Sequence, residues 1–129
     1  MHQQKIDNNL IVKLSIDLSL AAILYCEELE TAKKFVIARQ ILKSATSIGA
    51  NVMEAQNAES KIDFIHKMKI AAKEADETFY WLTLCELSPS YPKSNTLSAQ
   101  VNQIARVLNA ILSTSKKNVQ SSITDAGVE

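Results

Sequence analysis

The chain offers very few places to turn. Among 129 residues there are only two glycines and two prolines. A sheet-rich fold of this length needs a turn signal every ten residues or so, and this chain cannot supply them. Helices are what remain. Apolar residues at 47% and charged residues at 22% match ordinary globular usage, which excludes a disordered, collagen-like or disulfide-stapled chain. The length suits one hydrophobic core and therefore one domain.

Apolar periodicity divides the chain into four amphipathic segments. Ile11, Leu14, Leu18, Ala21 and Tyr25 recur at threes and fours, placing a buried stripe on a helix from about 6 to 30. Ile37, Ile41, Ala45, Ile48, Val52 and Ala55 do the same over about 32–57. This second helix contains Gly49, a costly interior residue unless a neighbouring backbone comes close, so a tight crossing is expected there. Ser60 and Asp63 have capping-box spacing and open a third helix, 61–88, with Ile65, Met68, Ala72, Ala75, Phe79 and Leu82 inside. Pro89 and Pro92 end it. After Ser94 or Asn95 as N-cap, Leu97, Val101, Ile104, Leu108 and Ile111 form the seam of a fourth helix, 95–116. Four long helices with short connections give an all-α, antiparallel up-down-up-down four-helix bundle over 1–117. The small polar residues 118–129 are expected to be a flexible C-terminal tail.

The third helix carries more apolar surface than one stripe can hold. Advanced by 100° per residue, Phe79, Tyr80, Trp81, Leu82, Leu84, Cys85 and Leu87 point in nearly every direction. Phe79, Tyr80, Trp81 and Leu84 are therefore the expected contact between copies in a homo-oligomer, aromatics being enriched at interface centres. The alternative is that the proline-rich loop and Tyr91 cover Tyr80 or Trp81.

Chemistry-bearing patterns are scarce. There is no phosphate-binding glycine loop, no HExxH and no GxSxG. Two Glu-x-x-His pairs would mark a di-iron bundle, and only Asp63-Phe-Ile-His66 approaches one, so no metal, cofactor or catalytic residue is expected. Cys26 and Cys85 lie in apolar helical runs and read as small buried hydrophobes. The longest nearly apolar run, Leu18 to Cys26, is about half the roughly 20 residues a bilayer span requires, so no membrane association is expected. The N-terminus lacks signal-peptide character, which fits a reducing cytoplasm. Asn51, Glu54, Glu74, Glu77 and Thr78 lie between core positions and form a candidate buried polar cluster fixing helix register.

Lysine plus arginine equal aspartate plus glutamate at 14 each, leaving no net field to steer the molecule toward nucleic acid. The basic residues are nonetheless grouped. Lys33, Lys34, Arg39 and Lys43 open the second helix and Lys67 and Lys69 lie early in the third, making these six the candidate RNA contacts. A solvated face is the other reading of each group.

The central block from Ser44 to Leu84 resembles the bacterial 23S rRNA intervening-sequence protein family. Ser44, Ser47, Ile48, Asn51, Glu54 and Ala55 match its S-x-x-S-I-x-x-N-x-x-E-A segment. Ser60, Asp63, Phe64, Lys67, Ala71, Lys73, Glu74, Glu77, Thr78, Tyr80, Trp81 and Leu82 follow its third-helix pattern. Val52-Met53 and Gln103-Ile104 depart from it. The similarity spans roughly residues 5 to 117 and implies a left-handed antiparallel bundle, a homopentameric ring and a bacterial cytoplasmic setting. It implies no enzymatic activity, and relatives that accompany diversity-generating retroelements look like nucleic-acid-binding proteins. Two functions are therefore expected to compete: a non-enzymatic oligomeric adaptor for RNA or a nucleoprotein, and a protein–protein scaffold that binds no nucleic acid.

Overall fold

The computed structural model describes residues 9–128, with side chains through Gln120 except that of Asn95. Four α-helices occupy almost all of it: α1 Leu10–Thr31, α2 Phe35–Ala55, α3 Lys61–Leu87 and α4 Asn95–Val128. Each packs on its neighbours in chain order and α4 returns to α1, while no Cα atom of α1 comes within 8 Å of one in α3, nor any of α2 within 8 Å of one in α4. The four helices thus form a square with consecutive helices along its edges, an all-α four-helix bundle.

Local chemistry sets each helix end. Asn9 is the N-cap of α1, accepting from the Val12 N–H at 3.3 Å, so helical geometry begins at Leu10. The expected start at Ile6 lies outside the described residues, as does His2. Between α1 and α2 the chain turns in three residues. Lys33 adopts φ 64°, its N–H reaches the Glu30 carbonyl at 2.9 Å, and the Lys34 N–H reaches that of Leu29 at 2.8 Å. Together they form a Schellman motif, which satisfies two orphan carbonyls but places a lysine where glycine is usual. Helix α2 consequently starts at Phe35 rather than near Ala32.

Ser60 caps α3 by accepting from the Asp63 N–H at 3.0 Å, and the Asp63 carboxylate accepts from the Glu59 N–H at 3.3 Å. The far end of α3 is closed by Lys93. Its ammonium donates to the carbonyls of Cys85, Glu86 and Ser88 at 2.7–2.8 Å, placing a positive charge at the negative pole of the helix. Ser94 is the N-cap of α4, accepting from the Leu97 N–H at 3.3 Å. Helix α4 continues to Val128, past Lys116 and through the segment read from sequence as a tail. No proline interrupts that stretch, and once a helix is nucleated each added residue gains a hydrogen bond.

The core is built from Val12, Leu18, Leu29, Ile41, Ile48, Met68, Leu97, Ile104 and Leu108, all essentially inaccessible. Each such aliphatic side chain contributes about 1.5–3 kcal/mol through burial. Gly49 faces α1: a Cβ there would lie 3.3 Å from Ser19 Oγ and 3.6 Å from the Ser15 carbonyl oxygen. The expected close crossing is thus between α1 and α2. It explains why Ser15, small and bonded through its own hydroxyl to the Val12 carbonyl at 2.8 Å, is fully buried.

Candidate functional site

The surplus apolar surface of α3 follows from which residues its core stripe actually uses. Ala71 and Thr78 are inside, where the sequence reading places Ala72 and Phe79. Thr78 can be buried because its hydroxyl lies 2.8 Å from both the Glu74 carbonyl and Ser44 Oγ on α2. With the stripe turned by one residue, Phe79 swings to 47% exposure and Tyr80 to 55%. Trp81 and Leu84 are half-buried. Tyr80 and Trp81 stack edge to face, centroids 5.2 Å apart, and the Trp81 Nε1–H is buried with no acceptor. The proline-rich loop engages the opposite corner. The Tyr25 hydroxyl donates to the Pro92 carbonyl at 2.7 Å, and the Lys34 ammonium sits 5.0 Å from the Tyr91 ring centroid. Tyr80 remains open.

Helix α1 carries a second exposed apolar strip that the sequence reading misses. Ser15 and Ala22 are buried in place of Leu14 and Ala21 as core-facing residues, and Leu20, Ile23 and Leu24 point outward at 57%, 40% and 65% exposure. The available signal was the run Leu18 to Cys26, apolar on every side of the helix. Phe35, Val36 and Leu87 are also exposed near this end of the bundle.

The five residues expected to form one buried polar cluster are not buried together. Thr78 alone among them is buried. The Asn51 amide donates to the Ser47 carbonyl of its own helix at 2.8 Å, not across the interface. Glu54 is exposed and pairs with Lys67 at 3.4 Å, and Glu77 is exposed as well. Glu74 is half-buried between α2 and α3. Burial and the neighbouring Glu77 raise its carboxyl above the usual range, partly opposed by Lys43. The buried polar contact between helices is Thr78 with Ser44.

The six basic candidates fall into two groups near opposite ends. Lys33, Arg39 and Lys43 are exposed, while Lys34 is engaged with Tyr91. Lys69 is exposed and Lys67 holds Glu54. Since Thr78 is level with Ser44, the nine residues from Lys69 to Thr78 put Lys69 roughly 14 Å below Lys43 at 1.5 Å per residue. Lys33 and Lys34 lie about 15 Å further up by the same measure.

Cys26 and Cys85 are both free and buried. Burial pushes the Cys26 thiol up to about 11 and raises that of Cys85, leaving almost no thiolate at neutral pH. They sit on α1 and α3, which nowhere bring Cα atoms within 8 Å, too far for a disulfide without backbone movement. Among the described residues no group of three or more His, Cys, Asp or Glu side chains could hold a metal ion. No helix of the described residues is long and apolar enough to cross a membrane. A shallow hollow of about 320 Å³ near the start of α3 is lined by Phe64, Ala110, Ile111, Thr114 and Ser115, without a titratable group.

The 23S rRNA-intervening sequence protein family matches residues 7–110. The chain belongs to that family. A crystal structure of a protein of unknown function from the S23 ribosomal protein family of Bacteroides thetaiotaomicron is 35% identical, with a TM-score of 0.75, covering 79% of this chain and 97% of that one. No curated protein matches. The match takes in the α2–α3 block and extends to α1 and to α4 as far as Ala110.

Proposed function

We propose that this member of the intervening-sequence protein family is a non-enzymatic scaffold of the bacterial cytoplasm that works as a homo-oligomer. The observation that carries the reading is the concentration of exposed large apolar side chains, Leu20, Ile23, Leu24, Phe35, Val36, Phe79, Tyr80 and Leu87, toward one end of the bundle. Exposed patches of that kind mark interaction surfaces on soluble domains. Zero formal net charge leaves no long-range repulsion between copies. The homopentameric ring implied by the sequence resemblance is the assembly we assign. Sedimentation velocity at micromolar concentration tests it: an assembly of several chains is expected, and a compact 14.3 kDa protomer overturns it.

A second reading, an adaptor for RNA or a nucleoprotein, draws on the exposed row Lys33, Arg39 and Lys43, which ring symmetry would multiply. Fluorescence anisotropy with structured RNA at two salt concentrations decides it. Phosphate-driven binding weakens steeply with salt, and a signal that is absent or indifferent to salt removes this reading.

A further inference from the structure

The outer face of α1 carries charge of one sign. Between Lys13 and Lys33 every charged residue is acidic: Asp17, Glu27, Glu28 and Glu30. Glu30 lines a hollow with Phe35 and Arg39 of α2. The other three border the aliphatic strip. At about 100° per residue, the core residues Leu18 and Ala22 lie opposite Leu20, while Asp17, Leu24 and Glu27 fall on its own side of the helix and Glu28 at the edge. The order along this ridge is therefore acid, two turns of aliphatic side chain, acid. Asp17 and Glu28 stand roughly 16 Å apart along the axis, with the exposed Leu20, Ile23 and Leu24 between them. All three bordering carboxylates are exposed, and none joins an ion pair among the described residues.

Such a face selects its occupant by two properties. Two turns of aliphatic side chain match a helix with apolar residues at i, i+3, i+4 and i+7. Carboxylates at both ends match lysine or arginine on either side of that stripe. Phosphates of a nucleic acid or of an anionic lipid are repelled by the same carboxylates. A second copy of this chain has no face with the converse order. On α2 the exposed apolar residues are the adjacent pair Phe35 and Val36, a single turn. On α3 Asp76 and Glu77 stand between Lys73 and Tyr80, and α4 exposes no large apolar side chain among the described residues.

We propose that the outer face of α1 docks a basic amphipathic helix of another protein, its apolar stripe on Leu20, Ile23 and Leu24 and its basic residues toward Asp17, Glu27 and Glu28. The inference rests on the scaffold reading above and divides the exposed apolar surface: the aromatic face of α3 stays with self-association, and α1 takes the partner. Helix α1 is fixed before the partner arrives. Its Ser15 and Ser19 lie against Gly49, and its Tyr25 holds the Pro92 carbonyl, so little ordering entropy is lost on this side of the contact.

The probe is a fluorescein-labelled synthetic helix with leucines at i, i+3, i+4 and i+7 between pairs of lysines, titrated with the full chain and read by anisotropy. Its control has glutamates in place of the lysines. The lysine peptide is expected to bind, more weakly as salt rises, and the glutamate peptide is not. Leu24→Gln, at a position 65% exposed, should weaken binding about tenfold or more, the scale of one aliphatic anchor. Glu27→Lys should weaken it at low salt and much less at high salt. Asp76→Lys makes the same charge change on α3 and should leave binding as it is. A lysine peptide that binds no better than its control overturns the proposal, as does Asp76→Lys weakening binding as much as Glu27→Lys, since the attraction would then be to net charge. Sedimentation of Leu24→Gln separates this from self-association. If the parent assembles and Leu24→Gln does not, α1 is a contact between copies, and the docking face is overturned while self-association stands. A parent that sediments as a single chain removes self-association alone, because the peptide titration needs no assembly.

Discussion

The two ends of this bundle are built by different means. The end with one connection, between α2 and α3, is closed by the Ser60–Asp63 cap, the Asn9–Gln56 hydrogen bond at 2.7 Å and the Lys67–Glu54 pair. Two of the three reach between neighbouring segments, and the Asn9–Gln56 contact is part-buried. At the end with two connections the loops themselves are tied down: Lys93 closes α3, Tyr25 holds Pro92, and Lys34 lies over Tyr91. That same end exposes most of the large apolar side chains. Apolar surface left open on a mobile segment would lose ordering entropy on contact, whereas surface on pinned helices has already lost it. The difference teaches that the exposed strips sit on the part of the fold best prepared to keep their shape.

The largest expected effect ignores this division. Gly49→Leu places a branched side chain against Ser15 and Ser19 at the α1–α2 crossing, between the two ends, and should cost about 3 kcal/mol or more, as overpacked cores do. Because α1 pivots at that crossing and packs on both α2 and α4, assembly should fall together with thermal stability. Calorimetry and sedimentation on the same sample check this, and a variant that loses neither means the crossing is looser than its distances indicate.

Lys93→Met separates the ends. Three carbonyls lose a charged donor, and since they can turn to water the cost should be about 1–2 kcal/mol, on the scale of charge-assisted hydrogen bonds. Lys67→Met removes the matching surface pair at the other end and should cost well under 1 kcal/mol. Chemical denaturation of the two variants side by side measures the contrast, and equal losses would erase it.

How far all this was legible in the sequence differs between the helices for a physical reason. The third and fourth helix starts were readable because Ser60 and Ser94 carry the hydroxyls that cap them. The tight crossing was readable because a helix-interior glycine needs compensation. The facing of α1 was not, because Leu18 to Cys26 is apolar all round and such a run has no preferred side. Its orientation is decided by Ser15, which a hydropathy pattern assigns to solvent and which the crossing with Gly49 draws inside. The same blindness hid Leu20, Ile23 and Leu24. On α3 the aromatic surplus was visible, but the buried polar pair was not, since Ser44 and Thr78 lie on different helices and only their 2.8 Å contact makes either one a core residue. The end of α4 went unread because no residue after Lys117 before Gly127 signals a stop.

Lys33→Gly sharpens the comparison in the opposite direction by strengthening the end that is already pinned. A lysine at φ 64° strains against its own Cβ, and glycine relieves this at some cost in unfolded-chain entropy. The balance should favour the variant by about 0.5–1 kcal/mol. The gain should appear in the melting temperature without altering the assembly, since the turn lies off the exposed apolar strips of α1 and α3.

The smallest effect belongs to the belt between the ends. Glu74 is half-buried at the α2–α3 seam, where burial and then Glu77 raise its carboxyl above the ordinary value and Lys43 only partly offsets them. A carboxyl raised in the folded state holds its proton more tightly there than in the unfolded chain. Its favourable contribution is therefore complete below the unfolded value and disappears as pH climbs through the folded one. At neutral pH the fold carries a charge it would shed. Glu74→Gln removes that penalty and should stabilise the protein slightly at pH 7 while leaving it nearly unchanged in mild acid. Paired denaturation curves at the two pH values test the sign. A glutamine variant less stable at pH 7 than the parent would mean that Lys43 outweighs burial and that this seam is held by charge, as the end with one connection is.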